Sequence, residues 1–364
     1  MRLHECLGIA RPILQAPMAG AQGSELAIAV ARAGGLGALP CAMLTPQAMA
    51  EELAAIRAAT SAPLNVNFFC HAPPAPDPAA EARWRAALAP FYAEFGLDID
   101  AVPAGPGRRP FDHEACDALE PFHPEVVSFH FGLPAPELVA RVKAWGARVL
   151  ASATTVAEAC WLEAHGADAV IAQGLEAGGH RGLFLTDDLT TQLGTLALVP
   201  QVKAVVGVPV IAAGGIGDAR GVAAALALGA DAVQVGTALL CCPEARISAI
   251  HRRALQSEAA RHTALTNLYT GRPARGIVTR LMSELGPMGE AAPAFPLATA
   301  AIAPLRAAAE DAGSGDFSPL WAGQNASGCR EVPAAEVIAA LARGLAGYDE
   351  GRRGQAEEEV LRQG

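Results

Sequence analysis

A basic block, a regular cysteine spacing and a long apolar span are all missing from this chain of 364 residues. Lys and Arg total 27 against 37 Asp and Glu, for a formal charge of −10, so nucleic acid and anionic membrane surfaces are poor partners. Uncharged stretches such as 205–217 are bounded by Lys203 and Asp218 and interrupted by Gly and Pro, short of the ~20 residues a membrane helix needs. The eight cysteines repeat no spacing, and only Cys241 and Cys242 are adjacent. A disulfide framework or zinc site is therefore not expected, and reduced thiols in the cytoplasm are. Glu5 stands where a secretory signal would be apolar, so no export is expected. The sequence holds no His-Glu-x-x-His and no other histidine cluster, so no metal is expected. It also lacks a Gly-x-Ser-x-Gly nucleophile elbow.

What the chain does have is apolar content, 52% of its residues, enough for a large core and too much for disorder. One phrase recurs: Gly146-Ala147-Arg148-Val149, Gly166-Ala167-Asp168-Ala169-Val170 and Gly229-Ala230-Asp231-Ala232-Val233. In each, glycine ends a helix and a buried strand begins. Eight near-continuous apolar runs stand out, at 13–16, 36–39, 64–68, 126–131, 148–151, 169–172, 209–213 and 232–235, as strands covered on both faces read. Helical segments lie between them, the one at 219–228 placed between an N-capping Asp218 and Gly229. The pattern predicts an α/β fold, a (β/α)₈ TIM barrel, with a doubly wound sheet as its rival.

Two stretches exceed one helix per strand. The proline-rich segment 72–123 forms a long excursion from the third strand, and residues after Cys242 form a second. The expected division is a ligand-binding barrel over 1–240, a smaller, mainly helical subdomain over 241–315 on its substrate side, and a C-terminal segment over 316–364 whose last helix, 333–348, returns to the barrel.

Barrel chemistry gathers at the C-terminal strand ends. The seventh and eighth runs end in Ala213-Gly214-Gly215-Ile216-Gly217-Asp218 and Gln234-Val235-Gly236-Thr237. Paired glycine turns on adjacent strands, one opening a helix, suit a phosphate. The sixth run leads to Gln173 and then Gly178-Gly179-His180-Arg181-Gly182, a loop able to lie against a flat ligand with an imidazole aimed at it. Histidine's ordinary pKa of about 6.5 suits proton abstraction. His130, between Phe129 and Phe131, ends the fourth run. Asn67 ends the third, its amide suited to a heterocycle edge, and Met18-Ala19 follow the first with an irregular backbone and a soft side chain. The phrase 315–324 either reaches back to the mouth or packs.

Together these phrases resemble the nitronate monooxygenase family, formerly 2-nitropropane dioxygenases, FMN enzymes on a (β/α)₈ barrel. The matching residues include Gln15-Ala16-Pro17-Met18-Ala19-Gly20, Gly34-Gly35-Leu36-Gly37, Asn65-Val66-Asn67-Phe68, Ser128-Phe129-His130-Phe131-Gly132, Gln173 through Gly182, Ala213-Gly214-Gly215-Ile216, Gln234-Val235-Gly236-Thr237 and Leu320-Trp321-Ala322-Gly323-Gln324. The resemblance implies FMN contacts at Asn67, Gln173, Gly178, Gly215 and 234–237, with Met18, Ala19, Gly179 and Gly214 completing the expected cofactor set. It implies His180 as catalytic base and His130 in the substrate pocket. The implied reaction converts an alkyl nitronate, or a nitroalkane once deprotonated, with O₂ to a carbonyl compound and nitrite, in a monomer or homodimer. The family is often described with several pocket tyrosines, whereas this chain has only Tyr92, Tyr269 and Tyr348. Two other readings are an NAD(P)H-dependent flavin reductase on the same barrel, and a cofactor-free isomerase or lyase binding a substrate phosphate.

Overall fold

In the computed structural model, which describes residues 2–102 and 108–346, the eight apolar runs become eight parallel strands. They are β1 (Ile13–Gln15), β2 (Gly37–Pro40), β3 (Leu64–Phe69), β4 (Val126–His130), β5 (Arg148–Ala153), β6 (Ala169–Gln173), β8 (Val210–Ala213) and β9 (Ala232–Val235). The short strand β7 (Gly179–His180) lies outside their sheet, with β10 (Thr263–Thr266) and β11 (Ala274–Ile277). The large sheet runs β1-β9-β8-β6-β5-β4-β3-β2. A parallel bridge between Leu14 and Leu36 and a 3.0 Å bond from Gln15 N–H to the Leu36 carbonyl bring its two edges together. The fold is the TIM barrel.

Strand alternation sorts the side chains into an outer and an inner set. Leu64, Val66 and Phe68 of β3 join the core beneath the surrounding helices. Leu14, Leu36, Val126, Leu150, Ile171 and Ile211 fill the barrel interior, and Leu3, Leu7 and Ile9 plug its N-terminal end. One layer further along the same strands, Asn67, His130, Ser152, Gln173 and Gln234 reach the cavity at the C-terminal mouth. The helix Ala219–Ala227 is capped as expected: Asp218 accepts from Gly221 N–H at 2.9 Å, and Gly229 adopts a left-handed φ of +99°.

Above the mouth sits a second core drawn from both excursions. Trp84, Leu88 and Phe91 of the helix Pro78–Glu94 pack with Leu268, Leu281, Ile302 and Phe317. Trp84 Nε1 donates to Ala298 O at 3.2 Å and Tyr92 Oη to Ala301 O at 2.6 Å. The segment 241–315, expected to be mainly helical, also carries the antiparallel pair β10–β11. The final helix is Ala334–Ala342, followed by a tight turn over Arg343–Leu345. Val337, Ile338 and Leu341 seat it on the barrel's outer layer. The expected helix 333–348 thus stops short at Ala342, and its last two positions, Gly347 and Tyr348, lie outside the described residues. Among the described residues no helix is long and apolar enough to cross a membrane, and no group of side chains is placed to hold a metal ion.

Candidate active site

The mouth encloses a cavity of about 290 Å³. Of the residues expected around a cofactor, Met18, Ala19, Asn67, Gln173, Gly178, Gly179, Gly214, Gly215, Gln234, Gly236 and Thr237 all line it, as do His130 and His180. Val235 does not. It is the outward-facing neighbour of Gln234 on β9, and its side chain belongs to the core beneath the helices.

The turns after β8 and β9 form one end. Gly214 and Gly215 have φ of +120° and +71°, which glycine adopts without strain. The N–H groups of Gly215, Gly236 and Thr237 donate to no described residue, and the helix starting at Ala219 adds the positive end of its dipole. The C-terminal segment reinforces these turns: Gly323 N–H donates to Thr237 Oγ1 at 3.0 Å, and Asn325 Nδ2 to Gly215 O at 2.9 Å. The phrase 315–324 thus reaches the mouth, where Leu320, Trp321 and Gly323 line the cavity.

Across the floor, Gln234 Oε1 is buried with no protein donor. Asn67 Nδ2 donates to the Ser128 carbonyl and hydroxyl oxygens at 3.1 and 3.0 Å, which leaves its own oxygen available. A Cβ on Gly179 would meet nothing within 4 Å, so this part of the β6 loop presents bare backbone to open space. An anion cradle at one end, orphaned amide acceptors on the floor and a flat backbone wall are what a flavin mononucleotide's phosphate and ring require. The residues present fit that group.

The β6 loop is held by side chains buried in the barrel. Gln173 Nε2 donates to His180 O at 2.9 Å, while its Oε1 accepts from Gly182 N–H at 2.8 Å. His130 Nε2 donates to the same His180 carbonyl at 3.2 Å, and His130 Nδ1 accepts from Ser152 Oγ at 3.0 Å. Both ring nitrogens of His130 are therefore engaged by the protein. Burial pushes its pKa down to about 3, so the ring is neutral and serves to hold the loop. Arg181, the next residue of the loop, is 0% exposed. It donates to the carbonyls of Gly174 and Gln173 at 2.8 Å each and to Gln192 Oε1 at 3.0 Å. Arg181→Met would leave the Gln173 carbonyl and Gln192 Oε1 without donors and the Gly174 carbonyl with only the Ala177 N–H, and should cost ~3–5 kcal/mol, measurable as a fall in the urea midpoint.

His180 sits in an aromatic box, its ring centroid 6.0 Å from Phe69, 5.9 Å from Phe131, 5.4 Å from Phe295 and 5.7 Å from Trp321. Phe131 holds a left-handed φ of +71°, a conformation uncommon outside glycine. His180 Nε2 lies 3.0 Å from Thr270 Oγ1, whose hydroxyl points to Arg272 O at 3.3 Å. The imidazole therefore donates from Nε2, and Nδ1 carries the lone pair. Burial first, then the positive charges of Arg108 and Arg272, hold its pKa well below 6.5. Arg108 stacks 5.6 Å from the Phe295 ring centroid and Arg272 4.1 Å from that of Phe131. Sequence reasoning missed both arginines because they sit in irregular Gly/Pro segments with no spacing signal. Tyr92 and Tyr269 lie in the second core and line no part of this cavity.

Fold and mouth together define a barrel enzyme whose C-terminal mouth has room for an anion and a flat ring. The sequence profile described as nitronate monooxygenase matches residues 1–344, and the chain belongs to the nitronate monooxygenase family, whose members are flavoenzymes. A nitronate monooxygenase of Pseudomonas aeruginosa is 44% identical over 352 residues, covering 95% of this chain and 99% of that protein. Among solved structures, nitroalkane oxidase from Streptomyces ansochromogenes superposes with a TM-score of 0.85 at 40% identity, covering 94% and 98% of the two chains. FabK from Thermotoga maritima gives 0.70 at 27%, covering 97% and 98%.

Proposed function

We propose that the chain oxidises alkyl nitronates with O₂ to a carbonyl compound and nitrite, with FMN as its cofactor and without NAD(P)H. His180 is the observation that carries this reading: a neutral imidazole with a free Nδ1, boxed by aromatic rings and flanked by two cations. Gly214, Gly215, Gly236 and Thr237 would hold the FMN phosphate, and Asn67, Gln234 and the backbone of Gly178-Gly179 its ring. Bound there, FMN supplies the electron acceptance that nitronate oxidation requires.

The protein's own residues do the rest. With a neutral nitroalkane, His180 Nδ1 takes the α-proton, and Thr270 fixes the tautomer that makes this nitrogen the base. Arg108 and Arg272 weaken the base, yet they favour the anion it generates and attract a preformed nitronate. Phe69, Phe131, Phe295 and Trp321 keep water from the reacting carbon.

Nitrite release from ethyl nitronate under air, with no nicotinamide present, tests the function. Absence of nitrite together with flavin bleaching by NADPH would assign the reductase reaction instead. The pH profile tests the base. Only the deprotonated imidazole acts, so activity is lost as pH falls through its pKa, which burial sets below 6.5. For a neutral nitroalkane, kcat/KM measured from about pH 5 to 8 should show no histidine inflection at or above 6.5.

A further inference from the structure

A second cavity, of about 320 Å³, lies between the loop after β2, the segment following residue 108 and the start of the helix Ala298–Asp311. Its walls are mostly apolar, with Ala42, Leu44, Met49, Phe68, Pro296 and Leu297 among them. Two side chains, Met43 and Arg108, line both this cavity and the one that holds His180. Met43 is unbranched and 53% exposed, a side chain able to swing aside. Arg108 makes no ion pair among the described residues; its Nη1 donates to Thr299 Oγ1 at 3.2 Å. Arg109, the other cation on this wall, is already paired with Asp112 at 3.1 Å and Glu114 at 2.7 Å.

An unpaired cation at the junction of a polar reaction chamber and an apolar void marks the position of an anionic head with a hydrocarbon tail. We propose that the second cavity is a tail-binding site: an unbranched alkyl chain passes Met43 into it while Arg108 attracts the anionic head beside His180. The substrates favoured are therefore linear nitronates of several carbons rather than the shortest ones. The inference rests on the nitronate reading for the identity of the head group, and on the two cavities alone for the tail.

Two series of ligands test it on the flavin-loaded protein. In the first, kcat/KM is measured for nitronates from ethyl to hexyl. In the second, calorimetry measures binding of linear carboxylates from acetate to octanoate, planar anions that cannot be oxidised here. Each methylene that enters the cavity should strengthen the interaction by up to ~4-fold. Ala300→Phe and Ala115→Leu fill the cavity from two different walls. Each should flatten the dependence on chain length beyond the shortest members, while ethyl nitronate and acetate keep their wild-type values. A flat series in the wild-type protein, or a slope that neither variant changes, would overturn the tail site. If no nitronate is oxidised while the carboxylate series still climbs and the variants flatten it, the tail site stands and the nitronate reading fails.

Discussion

Replacing His180 by Asn is expected to lower turnover of a neutral nitroalkane by ~10²-fold or more, the scale of a lost general base, while much of the oxidation of the matched preformed nitronate survives. The substitution isolates the chemistry because the loop's position does not depend on the imidazole. The bonds from Gln173 and His130 go to the main-chain carbonyl of residue 180, and the pairing of β7 with β11 is also main chain. His130→Asn acts differently. It removes one of the two donors to that carbonyl and frees Ser152, so both substrates should weaken by similar factors. Measuring kcat/KM for the pair on both variants, with each substrate form kinetically trapped, separates the roles. An equal fall for both substrates in His180→Asn would exclude the base assignment.

Gly215→Leu should strip the flavin and yield a colourless protein. The side chain would not plug the cavity directly, since a Cβ at Gly215 meets Glu176 Cβ at 3.4 Å. The effect comes from the backbone: a φ of +71° costs a leucine roughly 1–2 kcal/mol, and relaxing it turns the Gly215 N–H away from the phosphate position. It also strains the bond from Asn325 to Gly215 O. Gly313→Leu is the control, with a φ of +80° and nothing within 4 Å of its Cβ, at a position that lines neither cavity. Flavin absorbance per mole of purified protein reads the result; full occupancy in a folded Gly215→Leu would place the phosphate elsewhere.

The barrel was legible in the sequence because its strands are buried on both faces, and residues such as Val126, Val127 and Phe129 therefore belong to near-continuous apolar runs. The hairpin β10–β11 was not. Thr263, Thr266, Arg275 and Gly276 offer neither a continuous apolar run nor an alternation, and the strand's partner, Gly179–His180, is two residues long. The glycine turns and His180 announced themselves by composition. The tasks of Gln173 and His130 did not, because hydrogen-bond direction depends on where the β6 loop folds back, and that is set by Arg181 and the hairpin. Val235 was grouped with its neighbours as part of a run, although a period of two turns every second residue of a strand outward. Arg108 gave no signal because its setting depends on Phe295 and Thr299, nearly two hundred residues away.

The proposed base belongs to the barrel by its side-chain anchors and to the outer hairpin by its main chain. Arg181 N–H is held by Pro273 O at 2.8 Å, and β7 pairs with no barrel strand. Cooperative units of different stability open independently, and a three-stranded ribbon with one two-residue member is the weaker of these two. In native-state hydrogen exchange the Arg181 amide should therefore exchange together with the amides of β11, at a lower opening free energy than those of β4 or β6. Each such opening carries His180 off the mouth, so on warming the enzyme would fall silent while its barrel is still intact.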